Sequence, residues 1–169
     1  MSFKYRNRIT QERLLEFLHY DPKTGIFTWL KSTNKRIVVG RAAGAISLGY
    51  TLISIENCIY RAHRLAWLYV YGVWPNKDID HINRIRSDNR IENLREATKF
   101  ENARNIGKMS TNTSGLKGVT WDKDRNKWKS HARVNGKTFN LGRFDSKQDA
   151  SKAYEKFVIE NYGGFHSFD

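Results

Sequence analysis

The tightest constraint on this chain lies between Lys127 and Val134. Residues alternate there without a break: Trp128, Ser130, Ala132 and Val134 on one side, Lys127, Lys129, His131 and Arg133 on the other. Successive side chains of a strand point to opposite faces, so this pattern specifies a strand with one apolar face and one wet face. Asn135-Gly136 follows directly. That dipeptide suits the two-residue hairpin turn, whose central residues both need positive φ. Lys137–Gly142 must then return antiparallel, with Phe139 and Leu141 on the apolar side. Gly118–Trp121 predicts a third strand. Ser146 predicts the cap of a helix to about Asn161, because Ala150, Ala153, Tyr154 and Phe157 recur at three- and four-residue spacing. Residues 115–169 are thus expected to form a three-stranded antiparallel sheet packed on one helix.

Charge says what such a sheet faces. The 169 residues hold 30 Lys and Arg against 17 Asp and Glu, a net charge of +13. The surplus is uneven: +8 over residues 1–77, zero over 78–106, +1 over 107–114, +6 over 115–144 and −2 over 145–169. Two basic blocks flanking a neutral, carboxylate-rich centre suggest a chain that grips a polyanion at both ends and does something else in the middle. Double-stranded DNA is the expected partner. An anionic membrane surface is disfavoured, since no basic amphipathic helix and no apolar run of spanning length occurs. The first residues, MSFKYRNRITQERLLEF, lack the apolar core of a signal peptide, and the lone Cys58 can form neither an internal disulfide nor a thiolate zinc site. A cytoplasmic location is expected, in the host cell if the chain is phage-encoded. Lys4, Arg6 and Arg8 read either as a phosphate-binding arm or as a solvated tail.

The rest reads as α+β. Thr10 should cap a helix to about His19, stopped by the Asp21-Pro22-Lys23-Thr24-Gly25 turn. Ile26–Leu30, Ile37–Val39, Tyr50–Ile55 and Cys58–Arg61 are expected strands, and Arg61–Tyr71 a helix ended by Gly72. Lys77–Ile82 and Leu94–Ala97 predict two short strands around a polar loop. Thr98-Lys99-Phe100-Glu101 is a capping-box sequence, so a helix should run from Lys99 to about Ile106. Gly107–Gly115, rich in Ser, Thr, Asn and Gly, reads as a linker. The expected division is an N-terminal α/β region over 1–49, a core over 50–106, a linker over 107–114 and the sheet-and-helix module over 115–169.

The neutral centre carries the residues for phosphodiester chemistry. Cutting such a bond needs a base for water and a hard cation on the phosphate. His81 is a base suited to neutral pH. Asp80 and Asn102 offer oxygen ligands of the kind magnesium takes. The Asn93 amide could brace the loop that holds His81. Arg84, Arg86 and Arg90 surround this group and are expected to contact phosphate. His63, between basic residues at a helix start, reads as structural or as a phosphate contact.

The ordered set Asp80-His81-Ile82-Asn83, Asn89-Arg90-Ile91-Glu92-Asn93-Leu94-Arg95, Thr98 and Glu101-Asn102 resembles the HNH (His-Me finger, ββα-metal) endonucleases. It is nearest the phage and intron-associated homing nucleases, which Tyr60–Trp67 also resembles. The resemblance covers about residues 50–106. It implies a ββα-metal nuclease core in which Asp80 and Asn102 bind one divalent cation, magnesium or alternatively manganese. It implies that His81 activates water, that Asn93 orients the loop, and that the products carry a 3′-hydroxyl and a 5′-phosphate. Many members have His where this chain has Asn102, which favours a hard-ligand site over zinc.

The C-terminal module resembles the plant Apetala-two (ethylene-response-factor) DNA-binding domain through Lys117-Gly118-Val119, Trp128 with Ala132-Arg133, Leu141-Gly142-Arg143-Phe144 and Ala150 to Tyr154. The resemblance implies a sheet lying in the major groove, with Lys117, Thr120, Asp122, His131, Arg133, Thr138 and Asn140 facing DNA. Lys129 joins them by its place on the wet face of the alternating strand. Several of these positions hold Arg or Trp in the plant domains, and Asp122 would repel phosphate. The expected function is a magnesium-dependent, homing-type DNA endonuclease, monomeric or alternatively dimeric. The rivals are a non-catalytic DNA-binding regulator on a nuclease fold and an RNA-directed protein, the latter disfavoured by the narrow A-form major groove.

Overall fold

The computed structural model describes residues 9–32 and 35–166. The basic arm at Lys4, Arg6 and Arg8 lies outside them. The chain divides into two compact units, Met1–Ala97 and Thr98–Asp169. Both mix α and β, with small antiparallel sheets.

The first unit opens with helix α1 (Gln11–Phe17), whose first turn is capped by the Thr10 hydroxyl accepting from the Arg13 N–H at 3.3 Å. The helix ends two residues earlier than its periodicity predicts. Leu18–Asp21 leaves it as strand β1 and pairs with β2 (Ile26–Trp29), Tyr20 opposite Phe27. The turn between them is tied by Asp21, which accepts from the Lys23 N–H at 2.9 Å and the Thr24 hydroxyl at 2.8 Å. Those bonds hold its carboxyl below the usual range. Leu18 and Tyr20 alternate into the core, and that burial overrides the helical continuation.

The strand expected at Ile37–Val39 does not form. Val38 and Val39 are more than half exposed, and β2 instead bonds to the segment just beyond: the Trp29 N–H to the Arg41 carbonyl, the Ala43 N–H to the Phe27 carbonyl. A β-branched run has strand propensity without the burial that would use it. The strand that does form is β3 (Ala45–Ser47), the first of a three-stranded meander with β4 (Tyr50–Ile55) and β5 (Cys58–Arg61). Helix α2 (Ala62–Tyr71) buries Leu65, Ala66 and Leu68 and stops at Gly72, which takes the left-handed conformation at φ 74°. Strands β6 (Asp78–His81) and β7 (Leu94–Ala97) form a separate ladder with Asp80 opposite Arg95 and His81 opposite Leu94.

One core unites these pieces: Leu14, Phe17, Leu18, Tyr20, Phe27, Ile53, Ile55, Leu65 and Leu68, with Leu94 at its margin. Each fully buried Leu or Ile contributes roughly 1.5–3 kcal/mol. The β1–β2 hairpin also reaches the loop between β6 and β7. The Tyr20 hydroxyl donates to the Asn89 carbonyl at 2.7 Å. At Gly25 (φ 73°) a Cβ would stand 2.5 Å from the Arg90 nitrogen and 2.6 Å from the Asn89 carbonyl carbon, so only glycine lets turn and loop meet.

The second unit begins with helix α3 (Lys99–Arg104). Its capping box is complete: the Thr98 hydroxyl accepts from the Glu101 N–H at 3.2 Å and the Glu101 carboxylate from the Thr98 N–H at 2.7 Å. It ends at Arg104, two residues short of the expected Ile106. Strands β8 (Val119–Asp122), β9 (Lys127–Val134) and β10 (Lys137–Phe144) follow in the spatial order β10-β9-β8. Helix α4 (Lys147–Tyr162) packs on β9 and β10 through Ala132, Tyr154, Val158 and Tyr162. β10 runs two residues past the expected Gly142, because a bulge between Asn140 and Gly142 restores its pairing with β9. At Gly118 (φ 72°) a Cβ would lie 2.1 Å from the Tyr154 ring. The segment 107–114, read as a linker, has no helix or strand but bonds to this unit: Lys147 Nζ donates to the Ser114 carbonyl at 3.2 Å and Lys108 Nζ to that of Gly115 at 3.1 Å. No helix among the described residues is long and apolar enough to cross a membrane.

Candidate functional site

Strand β6 delivers Asp80 and His81 at its end. Alternation sends the two side chains to opposite sides of the hairpin, yet both are buried, at 4% and 5% exposure. Asp80 turns to its cross-strand neighbour: Arg95 Nε donates to its Oδ2 at 2.8 Å. His81 turns to the meander and α2. Its ring meets that of His63 edge-on, 4.9 Å between centroids at 89°, and lies 6.1 Å from that of Tyr50. Burial pushes the His81 pKa down, against the pull of the Asn89 side chain and the Asp80 and Asp88 carboxylates. The imidazole is therefore neutral near pH 7 and able to accept a proton.

His63 is more deeply placed, at 3% exposure, with a buried Nδ1 that has no hydrogen-bond partner among the described residues. Burial, with His81 and the neighbouring arginines, lowers its pKa to about 3.

The loop after His81 folds back around Asn93, which ends a 3-10 turn at Ile91–Asn93. The Asn93 Oδ1 accepts from the Asn83 N–H at 2.9 Å, its Nδ2 donates to the Asp88 carbonyl at 2.8 Å, and its own carbonyl accepts from the Ile82 N–H at 2.9 Å. Three backbone points of the loop are thus tied to one residue. Asp88 is held from the side by Arg90, Nε to Oδ1 at 2.9 Å, and by Asn83 at 2.6 Å. The Arg90 hydrogen bonds draw its carboxyl down to about 2.

The three loop arginines separate. Arg90 pairs with Asp88 at 2.7 Å and Glu92 at 2.9 Å, so its charge is largely used locally. Arg84 is exposed on a left-handed backbone at φ 65°. Arg86 stands over the Tyr50 ring, 5.1 Å from its centroid, and Arg61 stands over the same ring at 4.7 Å. Sequence reasoning gave Tyr50, Arg61 and Arg95 no role of their own and read His63 as structural or as a phosphate contact. Arg95 was within reach of it: a capping box at Thr98 ends β7 at Ala97, and antiparallel counting then sets residue 95 against 80.

Asp80, His81 and Asn93 thus share one hairpin and loop of the first unit. Asn102 lies in the second unit, half-buried on α3, its N–H donating to the Thr98 carbonyl at 2.9 Å. Among the described residues no three His, Cys, Asp or Glu side chains cluster as a metal cage. The oxygen donors named above fit a hard cation such as magnesium, which takes one or two protein oxygens and fills its shell with water and substrate phosphate. They do not fit zinc.

On the sheet of the second unit the expected contact residues fall into cross-strand rows. Thr120 and Arg143 flank Lys129, Asn140 faces His131, and Thr138 faces Arg133. His131 is half-buried, and burial followed by Lys129 lowers its pKa. Asp122 is not a bare charge against phosphate. Arg143 Nε donates to it at 2.7 Å and Arg125 lies at 3.6 Å, and the Arg143 bond holds its carboxyl low. Lys117, expected among the DNA contacts, has its ammonium at the Arg104 and Ile106 carbonyls, closing the end of α3. Thr120, His131 and Arg133 border a groove of about 760 Å³ within this unit.

Comparison with known proteins bears on both units. A family of HNH endonucleases matches residues 60–104, and the AP2 domain matches residues 114–164. Protein 3.8 of Escherichia phage T7 is 37% identical over 82 residues, which are 48% of this chain and 68% of that protein. No solved structure matches.

Proposed function

This chain belongs to the HNH endonuclease family and carries an AP2 domain after its HNH domain, and from that we propose that it is a magnesium-dependent DNA endonuclease of the homing type. The observation that carries the reading is His81, a buried neutral imidazole beside Asp80 at the mouth of a loop cross-tied by Asn93. His81 takes a proton from water as the water oxygen attacks phosphorus. The bond from phosphorus to the 3′-oxygen breaks, and that oxygen gains a proton from solvent. The products carry a 3′-hydroxyl and a 5′-phosphate. Asn93 keeps the loop, and with it His81, at a fixed angle. Asp80 and Asn102 would hold the cation, which when bound polarises the phosphate and steadies the leaving oxygen. Arg84 and Arg90 would meet neighbouring phosphates, Arg90 with less charge to spare.

In the same reading the AP2 sheet supplies affinity and register. Thr120, Lys129, His131, Arg133, Thr138 and Asn140 line its rows, with Asn able to read adenine and Arg guanine in the major groove. Lys117 would join them only by leaving the α3 carbonyls. The protein would act as a monomer, with a dimer or two visits needed for a double-strand break.

The test is nicking of supercoiled plasmid with and without magnesium. His81→Ala should lower turnover by at least about 100-fold, the low end of what a positioned base supplies. Asp80→Ala should abolish cleavage and leave DNA binding in place. Full activity in EDTA would refute the metal role. A second reading, a DNA-binding regulator on a nuclease fold, is favoured by one observation: Arg95 already sits on the Asp80 carboxylate. It predicts tight binding and no nicking by the parent under any divalent cation.

A further inference from the structure

Four arginines of the first unit are committed to carboxylates or backbone carbonyls. Arg13 is bound to Glu16 and Glu56, Arg90 to Asp88 and Glu92, Arg95 to Asp80, and Arg64 to the carbonyls of Pro75 and Lys77. Arg61 and Arg86 differ. Both are exposed, neither pairs with a carboxylate among the described residues, and both guanidiniums stand over the ring of Tyr50, at 4.7 and 5.1 Å. Their separation cannot exceed the sum of those two distances, about 10 Å. Two like charges this close repel, and the repulsion is relieved by an anion between or beside them.

Three elements set this arrangement. Tyr50 opens β4, Arg61 closes β5 just before α2, and Arg86 comes from the loop after β6, its Nη1 3.4 Å from the Leu48 carbonyl. Cation–π contact itself uses none of the guanidinium N–H donors, and apart from the one Arg86 N–H that meets Leu48 they face outward for an anion. The platform is also part of the candidate site. The Tyr50 ring lies 5.5 Å from His63 and 6.1 Å from His81. An anion held there is one ring away from the proposed base.

We propose that Arg61 and Arg86, held on Tyr50, form a clamp for a DNA backbone phosphate next to the bond that is cut. This rests on the reading of His81 as the base of a DNA nuclease. The clamp fixes the strand on the meander side of the site, so that the scissile phosphate arrives in register with His81. It reads no sequence, since phosphate carries none.

The test uses the full chain in EDTA, a fluorescent duplex, and affinity measured against salt. Each phosphate contact contributes about 0.9 to the slope of log K against log salt. The double variant Arg61→Gln, Arg86→Gln should flatten the slope by about 0.9, the share of the one clamped phosphate. Arg61→Lys with Arg86→Lys should keep it, because the count follows charge. An unchanged slope in the Gln pair overturns the clamp, as does an equal loss in the Lys pair, which would mark a distorted fold. With magnesium added, the Gln pair should lose roughly tenfold in kcat/KM or more near physiological salt. Neutral methylphosphonates placed singly along the duplex should weaken the parent and not the Gln pair at one or two positions flanking the cut. Sensitivity that survives in the Gln pair at those positions overturns the placement. A parent that cuts nothing defeats the nuclease reading, while the slope still decides the clamp.

Discussion

His63 shows what a single residue costs and reports. Its imidazole is buried neutral, with its pKa near 3 in the folded chain against about 6.5 unfolded. Between those values the unfolded chain binds a proton that the folded chain refuses, so stability falls as pH falls through 6.5. From pH 7 to pH 5 the loss is on the order of 2 kcal/mol. Carboxylates such as Asp88, held at about 2, titrate below this window. His63→Phe keeps the ring edge against His81 and should reduce the slope between pH 7 and 5 in urea melts, the remainder coming from His81 and His131, whose pKa values burial also lowers. A slope equal to the parent's would mean that His63 is charged when folded. The sequence offered His63 only as a histidine between basic residues. Its environment comes from packing of α2 against β4 and β6, which no local pattern encodes.

At the scale of elements, glycines are the sharpest probes. Gly25→Ala would set a methyl against the backbone of Asn89 and Arg90 and strain a positive φ. It should destabilise the first unit by roughly 1–3 kcal/mol from the backbone alone, and more from the clash. Thermal melting checks this, and cleavage should fall with it, because the displaced loop holds Asn93. Gly118→Ala should instead unseat Tyr154 in the second unit and weaken DNA binding, measured by anisotropy, with little effect on the melting of the first.

Elements with strong periodicity were legible in the sequence: β9 to the residue, α2, α4, the β4–β5 hairpin and the capping box of α3. The misreadings share one cause. Leu18–Asp21 and Ile37–Val39 were judged by propensity, and tertiary burial decided both, drawing the first into a hairpin and leaving the second exposed. Of the candidate site, the nearness of Asp80, His81 and Asn93 was legible from their order along the chain, since they share one hairpin and its loop. The site was illegible where contacts cross between elements, at Tyr50, Arg61 and Arg95.

At the scale of the whole molecule, charge is shared. Residues 1–97 hold 16 Lys and Arg against 9 Asp and Glu, and residues 98–169 hold 14 against 8. The net charges, +7 and +6, are nearly equal, so both units should contribute to the salt dependence of DNA binding. Deleting residues 107–169 should weaken binding and flatten its salt dependence more than it lowers turnover at saturating DNA. Unchanged binding in the truncated chain would refute a DNA-binding role for the second unit.

The tie between the N-terminal hairpin and the loop after β6 bears on how such proteins can be recombined. The HNH match begins at residue 60, yet Tyr20 and Gly25 hold the loop from about 35 to 40 residues upstream of that point. A gene fragment cut at the edge of the motif would carry the reactive residues and leave behind the hairpin that supports them. Exchange between related genes should therefore succeed when the crossover lies upstream of the hairpin and fail when it lies between hairpin and motif, unless both parents already share that fit. The unit of inheritance is longer than the unit of recognition.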